Sequence, residues 1–229
     1  HLPHLQSIAE ALLQPARRNG PQLLVGILFD AALYTWTEAI LGFVMGATLG
    51  FVLGSVFAHV ALLQRSLLPY VIASQTIPII AIAPMVVIWL RDSHPLLPVA
   101  VISAYLTFFP VTVNTLRGLQ SPDPTAFALM RSFAANRWQV MWKLRVPAAL
   151  PFIFTALKVS ATASVVGAII GELPSGIRNG LGRAILDFSS DYSLISTPKL
   201  WAAIFMSALL GITFFLIVAG VERLILRGR

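Results

Sequence analysis

Hydrophobic residues form long runs along this chain, and short polar or charged segments separate them. Runs of about 20 or more residues with at most one charge cover 39–58, 66–90, 93–116, 146–171 and 200–221. A helix needs about 20 apolar residues to cross the hydrocarbon core of a bilayer. The pattern therefore predicts an all-α membrane protein with about five transmembrane helices. Lys158 lies within the fourth run, and we expect its ammonium group to snorkel toward the membrane surface.

The N-terminal part of the chain has a weaker pattern. Residues 21–36 are apolar but contain an aspartate. We predict that 1–36 is an interfacial or extended lead-in outside the membrane, that 37–225 is the transmembrane domain and that 226–229 is a cytoplasmic tail. Because the chain begins at His1 and not at Met, we expect a signal peptide or a sixth membrane helix upstream of it.

Composition supports a lipid environment. Hydrophobic residues make up 57% of the chain and charged residues 11%, whereas soluble domains carry about 25% charged residues. The net charge of +7 would suit a nucleic acid, but the basic residues are dispersed between apolar runs, so we predict no nucleic-acid partner. The absence of cysteine excludes disulfides and thiolate metal sites.

Basic residues decide the orientation of the predicted spans. With the 117–147 loop in the cytoplasm, alternation places nine Lys and Arg residues inside and six outside, and two acidic residues inside and seven outside. Loops rich in Lys and Arg stay on the cytoplasmic side of a membrane. We therefore predict that this loop and the C-terminus are cytoplasmic.

Glycines recur at every fourth position of the first span. The spacing places them on one helix face, where a neighbouring helix can approach closely. Two interpretations remain open, a surface along which helices slide and a surface of simple tight packing. The glycines are Gly42, Gly46, Gly50 and Gly54.

Prolines and polar residues mark candidate positions along a translocation pathway. Three prolines in the second span, including Pro78, predict kinks, with Gln75 and Thr76 just before Pro78. Such kinked helices line pathways, although a purely structural kink is equally open. We add Asn114 and Ser164 to the pathway candidates, together with one acidic residue.

That acidic residue is Glu172, near the end of the fourth span. A carboxylate near a membrane span is costly and usually faces protein or water. We interpret Glu172 as a gate or a hydrogen-bonding anchor, with an interfacial acid in contact with water as the alternative.

The sequence does not indicate an enzyme or a metal site. It contains no Gly-x-x-x-x-Gly-Lys-[Ser/Thr] phosphate loop, so we expect no ATP hydrolysis by this chain. The four histidines are scattered, and no Ser/His/Asp set with close spacing is evident. We therefore predict no catalytic residues, no metal ligands and no cofactor in this chain.

The 117–147 loop carries an aromatic helix between the third and fourth spans. A Ser-Pro-Asp-Pro-Thr turn at 121–125 precedes a predicted helix over 126–143. Four large aromatic side chains lie in that helix among basic residues. An exposed aromatic surface of this kind usually contacts a membrane or another protein. The bilayer interface and a partner protein are both open as that surface.

Residues 131–151, from Arg-Ser-Phe-Ala-Ala-Asn-Arg-Trp to Pro-Ala-Ala-Leu-Pro, resemble the signature loop of ABC importer permeases. That signature reads Glu-Ala-Ala, three residues, Gly, nine residues, a hydrophobe, one residue and Leu-Pro. Its Glu falls here on Ala128 and its Gly on Ala134. The closest subgroup transports nitrate, taurine and aliphatic sulfonates, and the branch for thiamine precursors or riboflavin is also similar. Further matches lie at 77–84, 109–118 and 171–182.

The resemblance implies a type I ABC importer permease fold in a bacterial inner membrane. It implies a second permease subunit, as a homodimer, two cytoplasmic ATPase subunits that bind ATP and Mg²⁺, and an extracytoplasmic solute-binding protein. The loop would form the coupling helix that contacts the ATPase. The docking residues that it implies are Ala128, Arg131, Phe133, Ala134, Asn136, Arg137, Trp138 and Trp142.

An ATP-independent secondary transporter or channel is the alternative function. It would need charged or polar coupling groups inside the spans. Only Lys158 and Glu172 approach such positions, which is few for ion coupling.

Overall fold

The computed structural model describes residues 4–15, 22–90, 92, 94–174, 177–190 and 196–227. Apart from one isolated bridge between Pro15 and Leu23, the regular elements of this part of the chain are helices. They are α1 (Leu5–Leu13), α2 (Leu24–His59), α3 (Ala61–Ser74), α4 (Ile79–Trp89), α5 (Leu97–Gln120), α6 (Pro124–Ser132), α7 (Arg137–Val140), a π-helical segment (Met141–Arg145), α8 (Val146–Glu172), α9 (Leu181–Ser189) and α10 (Ser196–Leu226).

Four helical stretches of the described chain are long and apolar enough to cross a membrane. They are α2, α5, the continuous run from α7 through α8, and α10. Helices α3 and α4 pass the same test only together, and they are bent by 96° at their junction. The structure therefore agrees with about five spans only if this bent pair counts as one.

The predicted second span, 66–90, breaks where a kink was expected. Helix α3 ends at Ser74, and α4 begins after Pro78, which adopts an extended conformation. Proline lacks the N–H that would continue the helical ladder, so the break falls at this proline. Pro69 and Pro84 lie inside helices and do not end them.

The interpretation of 21–36 as a lead-in separate from the first span is wrong for its described helical part. Helix α2 runs without a break from Leu24 to His59 over 36 residues. Asp30 lies exposed on this helix, so a single aspartate does not interrupt it. At 1.5 Å per residue the helix is about 54 Å long, well beyond the hydrocarbon core.

Helix α5 is the centre of the bundle, and α2 packs along one side of it. Gly42 lies against Ser103 and Gly54 against Thr115, so the two helices run in the same direction. All four glycines of the first span lie in this contact. A Cβ added at Gly46 would come within 2.5 Å of the Ala104 carbonyl oxygen, so the backbones are too close for any side chain. The tight packing that the spacing predicts is therefore present, and sliding stays a prediction.

Helix α8 packs on the other side of α5 in the opposite direction. The Ser103 hydroxyl donates to the Ser164 carbonyl oxygen at 2.7 Å, and the Ser160 hydroxyl donates to the Thr107 carbonyl oxygen at 3.3 Å. Small and hydroxyl-bearing residues suit such contacts because they allow close approach and leave no polar group unpaired.

Lys158 of α8 forms an ion pair with the last helix of the bundle. Its Nζ atom on α8 lies 2.6 Å from a carboxylate oxygen of Glu222 on α10. Both side chains are largely buried. A carboxylate from the last helix therefore pairs with this lysine, and the expectation that its ammonium group snorkels toward the membrane surface stays a prediction.

The bundle has two distinct ends. At the loop end, α5 ends and α8 begins, with α6 and α7 between them. At the opposite α9 end, an apolar cluster joins α1, α2, α9 and α10, and its members include Ile8, Leu24, Leu28, Leu181 and Ala203.

Candidate functional site

The loop end is built from local hydrogen bonds that fix the path of the chain. The Asp123 carboxylate caps α6 by accepting from the Thr125 N–H at 2.7 Å and from the Thr125 hydroxyl at 2.6 Å. These hydrogen bonds lower the pKa of the Asp123 carboxyl, because they favour its ionised form. Pro124 follows at the first helical position, where no N–H is needed.

Helix α6 ends in a reversal of the chain at Ala134. The Ala134 N–H donates to the Arg131 carbonyl oxygen at 2.9 Å. The Ala135 N–H donates to the Met130 carbonyl oxygen, also at 2.9 Å. This pair of bonds forms a Schellman motif, whose reversal residue adopts the left-handed conformation and is usually glycine. Ala134 has φ 49°. The structure thus gives a physical reason for the glycine that the resembling signature has at this position.

The chain becomes helical again at Asn136. The Asn136 side chain accepts from the Gln139 N–H at 2.8 Å, and the Gln139 side chain accepts from the Asn136 N–H at 2.9 Å, a reciprocal capping box. The prediction of one helix over 126–143 is therefore wrong in its middle. Sequence reasoning missed the reversal at Ala134 because alanine is a strong helix former and gives no turn signal.

A π-helical segment joins α7 to α8 and contacts α6. The Arg145 guanidinium, at the end of this segment, lies 5.3 Å from the centre of the Phe127 ring of α6. Such a cation–π contact is attractive. It connects the first helix of the loop to the base of the long helix α8.

All eight residues predicted to dock a partner are exposed on this loop. The large aromatics are Phe133, 75% exposed, Trp138, 70% exposed, and Trp142, 54% exposed. The two indole rings contact each other with centroids 5.6 Å apart. Short-range caps therefore hold an apolar, arginine-bearing surface in place without covering it.

The structure brings three of the predicted pathway residues to one bend. Gln75, Thr76 and Pro78 lie between α3 and α4, with Gln75 half-buried and the other two exposed. The Tyr105 hydroxyl of α5 donates to the Ser74 carbonyl oxygen and so anchors the bend to the central helix. The pathway role of these residues stays a prediction.

The other pathway candidates lie elsewhere. Asn114 is half-buried on α5 and donates to the Pro110 carbonyl oxygen at 2.8 Å. Ser164 is fully buried, and its hydroxyl donates to the Ala161 carbonyl oxygen. Glu172 is also fully buried. Among the described residues, the Ser164 carbonyl oxygen accepts from Ser103 of α5 and the Glu172 carboxyl contacts Thr35 of α2, so both residues lie at contacts between helices.

Glu172 is the centre of a polar cluster at the α9 end. One carboxylate oxygen accepts from the Thr35 hydroxyl at 2.6 Å, and the other accepts from the Gly182 N–H at 2.6 Å. The Thr35 oxygen in turn accepts from the Leu181 N–H at 2.9 Å. Of the interpretations left open for Glu172, this geometry favours the hydrogen-bonding anchor.

Glu38 completes this cluster, and sequence reasoning missed it. It is fully buried on α2, about one helical turn after Thr35 and on the same helix face. Because the Thr35 hydroxyl contacts Glu172, this position places the Glu38 carboxyl beside that of Glu172. No N–H or hydroxyl of the described residues donates to either Glu38 oxygen. The signal for this residue was a carboxylate directly before the first predicted span, 39–58, which was counted only among the acidic residues outside.

Glycines let α9 approach the cluster. Gly180 has φ 103°, and a Cβ at this position would overlap the Glu172 carboxyl. A Cβ at Gly182 would also collide with α8. Only residues without a side chain at positions 180 and 182 allow the Gly182 N–H to reach the carboxylate and the Leu181 N–H to reach the Thr35 hydroxyl.

A cavity of about 560 Å³ adjoins the cluster between α2 and α9. Tyr34 lies at the boundary, since it lines the cavity and directly precedes Thr35 of the cluster on α2. Charged side chains of the cavity wall are Asp30, Arg178, Arg183 and Asp187.

Comparison with known proteins gives related permeases. The chain is 32% identical over 212 residues to the riboflavin transport system permease protein RibX of Chloroflexus aurantiacus, covering 93% of this chain and 77% of that protein. It is 35% identical over 170 residues to the formylaminopyrimidine transport permease protein ThiX of Halalkalibacterium halodurans, covering 72% of this chain and 64% of that protein.

The fold is similar to that of a solved transporter chain. An inward-facing structure of the MetNI methionine ABC transporter contains a chain that superposes with a TM-score of 0.61 at 19% identity, covering 86% of this chain and 95% of that one. The all-α permease fold predicted from sequence is thereby confirmed.

A family description, binding-protein-dependent transport system inner membrane component, matches residues 42–227. This match confirms the family resemblance drawn from the 117–147 loop. The chain therefore belongs to that family and is a permease subunit of an ABC importer.

Proposed function

We propose that two copies of this chain form the transmembrane pathway of an ATP-driven importer in a bacterial inner membrane. Two ATPase subunits dock on the 117–147 loop from the cytoplasm and bind ATP and Mg²⁺. A solute-binding protein delivers a small solute at the α9 end.

The observation that carries this proposal is the uncovered aromatic surface of the loop. Phe133, Trp138 and Trp142 are mostly exposed, although the loop backbone around them is fixed by caps at both helices. A rigid apolar patch with arginines at its edge has the composition of a protein–protein contact, in which aromatics and Arg are enriched. If the same aromatics were only inserted into the bilayer interface, the loop backbone would not need to be held in one conformation by these caps.

Charge supports the cytoplasmic placement of the loop. Orienting the loop inward leaves nine basic residues inside and six outside, in agreement with the positive-inside tendency. The α9 end then faces the extracytoplasmic side, where the binding protein arrives.

Movement of the loop would be transmitted along α8. Arg137–Glu172 is one continuous helical run, so it connects the exposed tryptophans with the buried cluster at the α9 end. Because α8 packs on α5, displacing its base would shift the central helix as well. Nucleotide binding then biases two arrangements of the spans through different contacts in each.

The test removes the two indoles together. We expect Trp138→Ala with Trp142→Ala to abolish co-purification of the ATPase subunit, or to weaken it about tenfold or more, as for interface aromatics in general. Leu13→Ala is the matched control, since Leu13 is 72% exposed at the other end of the bundle. Association is measured by affinity capture of the tagged permease from membranes.

An ATPase that binds the double variant as tightly as it binds the control would contradict the docking role. An ATP-independent transporter would instead show solute uptake by vesicles that contain this chain alone. Lys158 gives that alternative little support, because Glu222 already neutralises it.

The solute class is open to direct assay. The two relatives named above transport riboflavin and formylaminopyrimidine, both of which are nitrogen heterocycles. We propose a solute of that class, and uptake of these two compounds by the reconstituted importer is the first measurement. A sulfonate or nitrate that competes better than either would contradict it.

A further inference from the structure

The buried carboxyls of Glu38 and Glu172 differ in their hydrogen bonds. Both Glu172 oxygens accept, one from the Thr35 hydroxyl and one from the Gly182 N–H. Neither Glu38 oxygen receives a hydrogen bond from a described N–H or hydroxyl. Glu38 follows Thr35 by three residues on α2, and Thr35 contacts the Glu172 carboxyl, so the two carboxyls lie on the same side of α2. Both side chains are fully buried.

Two carboxyl groups can form a hydrogen bond only if one of them carries a proton. Two ionised carboxylates at contact distance, without water or a cation between them, repel each other strongly, and so such pairs share a proton. Glu172 is the better acceptor, because the Gly182 N–H donates to one of its oxygens at 2.6 Å and the Thr35 hydroxyl, which can also donate to the Ala31 carbonyl oxygen, lies 2.6 Å from the other. The proton therefore belongs on Glu38, which would otherwise be a buried charge without a partner.

We propose that Glu38 is held neutral and donates its proton to Glu172, and that this pair is the positioning group that closes α9 onto α2 and α8. We call the assembly of Thr35, Glu38, Glu172 and the N–H groups of Leu181 and Gly182 the carboxyl clamp. Its effect on transport rests on the proposed function, whereas its proton can be measured directly.

The clamp acts at the start of α9. Gly180 fits there only because it has no side chain, and the Leu181 side chain is fully buried in the apolar cluster with Leu24 and Leu28. Moving α9 away from the bundle would therefore break the polar and apolar contacts together. Such an all-or-none contact is suited to hold one of two states of an importer.

The surroundings of the pair restrict which other groups can change its charge. Tyr34 of α2, next to Thr35, lines the adjoining cavity. On the α9 side, Arg178, Arg183 and Asp187 line the adjoining cavity, and Arg183 pairs with Asp187 at 2.9 Å. The neighbouring core cluster receives apolar side chains from α5 and α10, Val99 and Phe214, and Glu10 of α1 is exposed.

The direct test is infrared spectroscopy of the purified full-length chain, without ATPase subunits, in a detergent that contains no ester carbonyl. We expect the carbonyl band of a protonated carboxylic acid at neutral pH in the wild type, and its loss in Glu38→Gln. Glu10→Gln is the matched control, in which the band should remain. A wild type without this band at neutral pH, or a band that survives in Glu38→Gln, would overturn the proposal.

Amide hydrogen exchange over 181–189 tests the positioning role. Glutamine at position 38 keeps an N–H donor toward Glu172, so we expect protection of α9 to be retained in Glu38→Gln and to lose its dependence on pH. Glu172→Gln removes an acceptor that two donors need. There we expect exchange to accelerate about tenfold to a hundredfold, the factor for one lost hydrogen bond to a charged group.

Equal acceleration in both variants would show that Glu38 acts as a carboxylate and would overturn the proposal. So would protection of wild-type α9 that rises when Na⁺, K⁺ or Ca²⁺ is added, because a cation and not a proton would then bridge the pair. Neither measurement uses nucleotide or solute, so a failure of ATPase docking would leave both results unchanged.

Discussion

The two ends of the bundle differ in where the hydrogen-bonding partners of their polar groups come from. At the loop end, the caps come from neighbours in sequence, such as Asp123 for α6 and Asn136 for α7, and the aromatics stay exposed. At the α9 end, the hydrogen bonds join distant residues, with Thr35 bonded to Glu172 and to Leu181. Hydrogen bonds between neighbours in sequence leave the surface of the loop free for a partner. Hydrogen bonds between distant residues connect three helices, and among the described residues none of their donors reaches Glu38.

The largest effect should come from the α9 end. Gly180→Ala would place a methyl group on the Glu172 carboxyl at φ 103°. We expect a loss of about 3 kcal/mol or more in stability, because left-handed strain and steric overlap combine. The midpoint of thermal unfolding in detergent measures it. Gly211→Ala is the control, since the described residues leave open space there.

If the two alanine variants unfold at the same temperature, the close approach of α9 to Glu172 is not needed for folding. The claim that long-range contacts hold the α9 end together would then be wrong. A large loss in Gly211→Ala alone would lead to the same conclusion.

The contact between α2 and α5 joins the two ends, and it should be the next most sensitive. Gly46→Ala would bring a methyl group within 2.5 Å of the Ala104 carbonyl oxygen, and we expect a loss of about 1–3 kcal/mol from overpacking. Gly26→Ala on the same helix has open space among the described residues and should be neutral or slightly stabilising. Chemical denaturation of the purified permease distinguishes the two, and a stable Gly46→Ala would contradict this packing.

The ion pair between α8 and α10 should have a smaller effect. Lys158→Met leaves Glu222 without its partner, and we expect the free energy of unfolding to fall by about 1–2 kcal/mol. The loss is smaller than for a fully buried pair because both side chains are partly exposed. Adding Glu222→Gln to this variant should restore most of the loss. A double variant no more stable than the single one would mean that the pair is not coupled. Thermal unfolding of the variants completes the cycle.

The smallest effect should be a gain at the loop end. Ala134→Gly relieves an alanine held at φ 49°, and we expect about 1 kcal/mol of stabilisation. Ala128→Gly in the interior of α6 is the matched control and should cost about 1 kcal/mol. Amide exchange across 124–140 reports both changes. If glycine at position 134 loosened the loop, the Schellman reversal would be wrong.

Some features of this fold follow from local pattern. Uncharged runs identified the spans, and the four-residue glycine spacing identified the face that α5 contacts. The exposed residues of the 117–147 loop were also predictable, since an aromatic helix between spans has no core of its own to enter. These are properties of neighbouring residues, so sequence periodicity records them.

Other features needed the tertiary structure. Alanine at position 134 gives no local sign of a reversal, and Asp30 does not end α2 because its side chain is exposed. The bend at Pro78 was expected as a kink, but its angle of 96° and the hydrogen bond from the Tyr105 hydroxyl to the Ser74 carbonyl oxygen are visible only in the structure. Lys158 found its partner 64 positions later in the chain.

The sequence by itself determined that this chain is a membrane permease, because hydrophobic length and the signature of the 117–147 loop are both written in consecutive residues. Only the tertiary structure decided that Glu38 and Glu172 meet. The physical reason is that a buried carboxyl is tolerated only with its hydrogen-bonding partners. Those partners come from α2, α8 and the start of α9, which are brought together by folding and not by sequence.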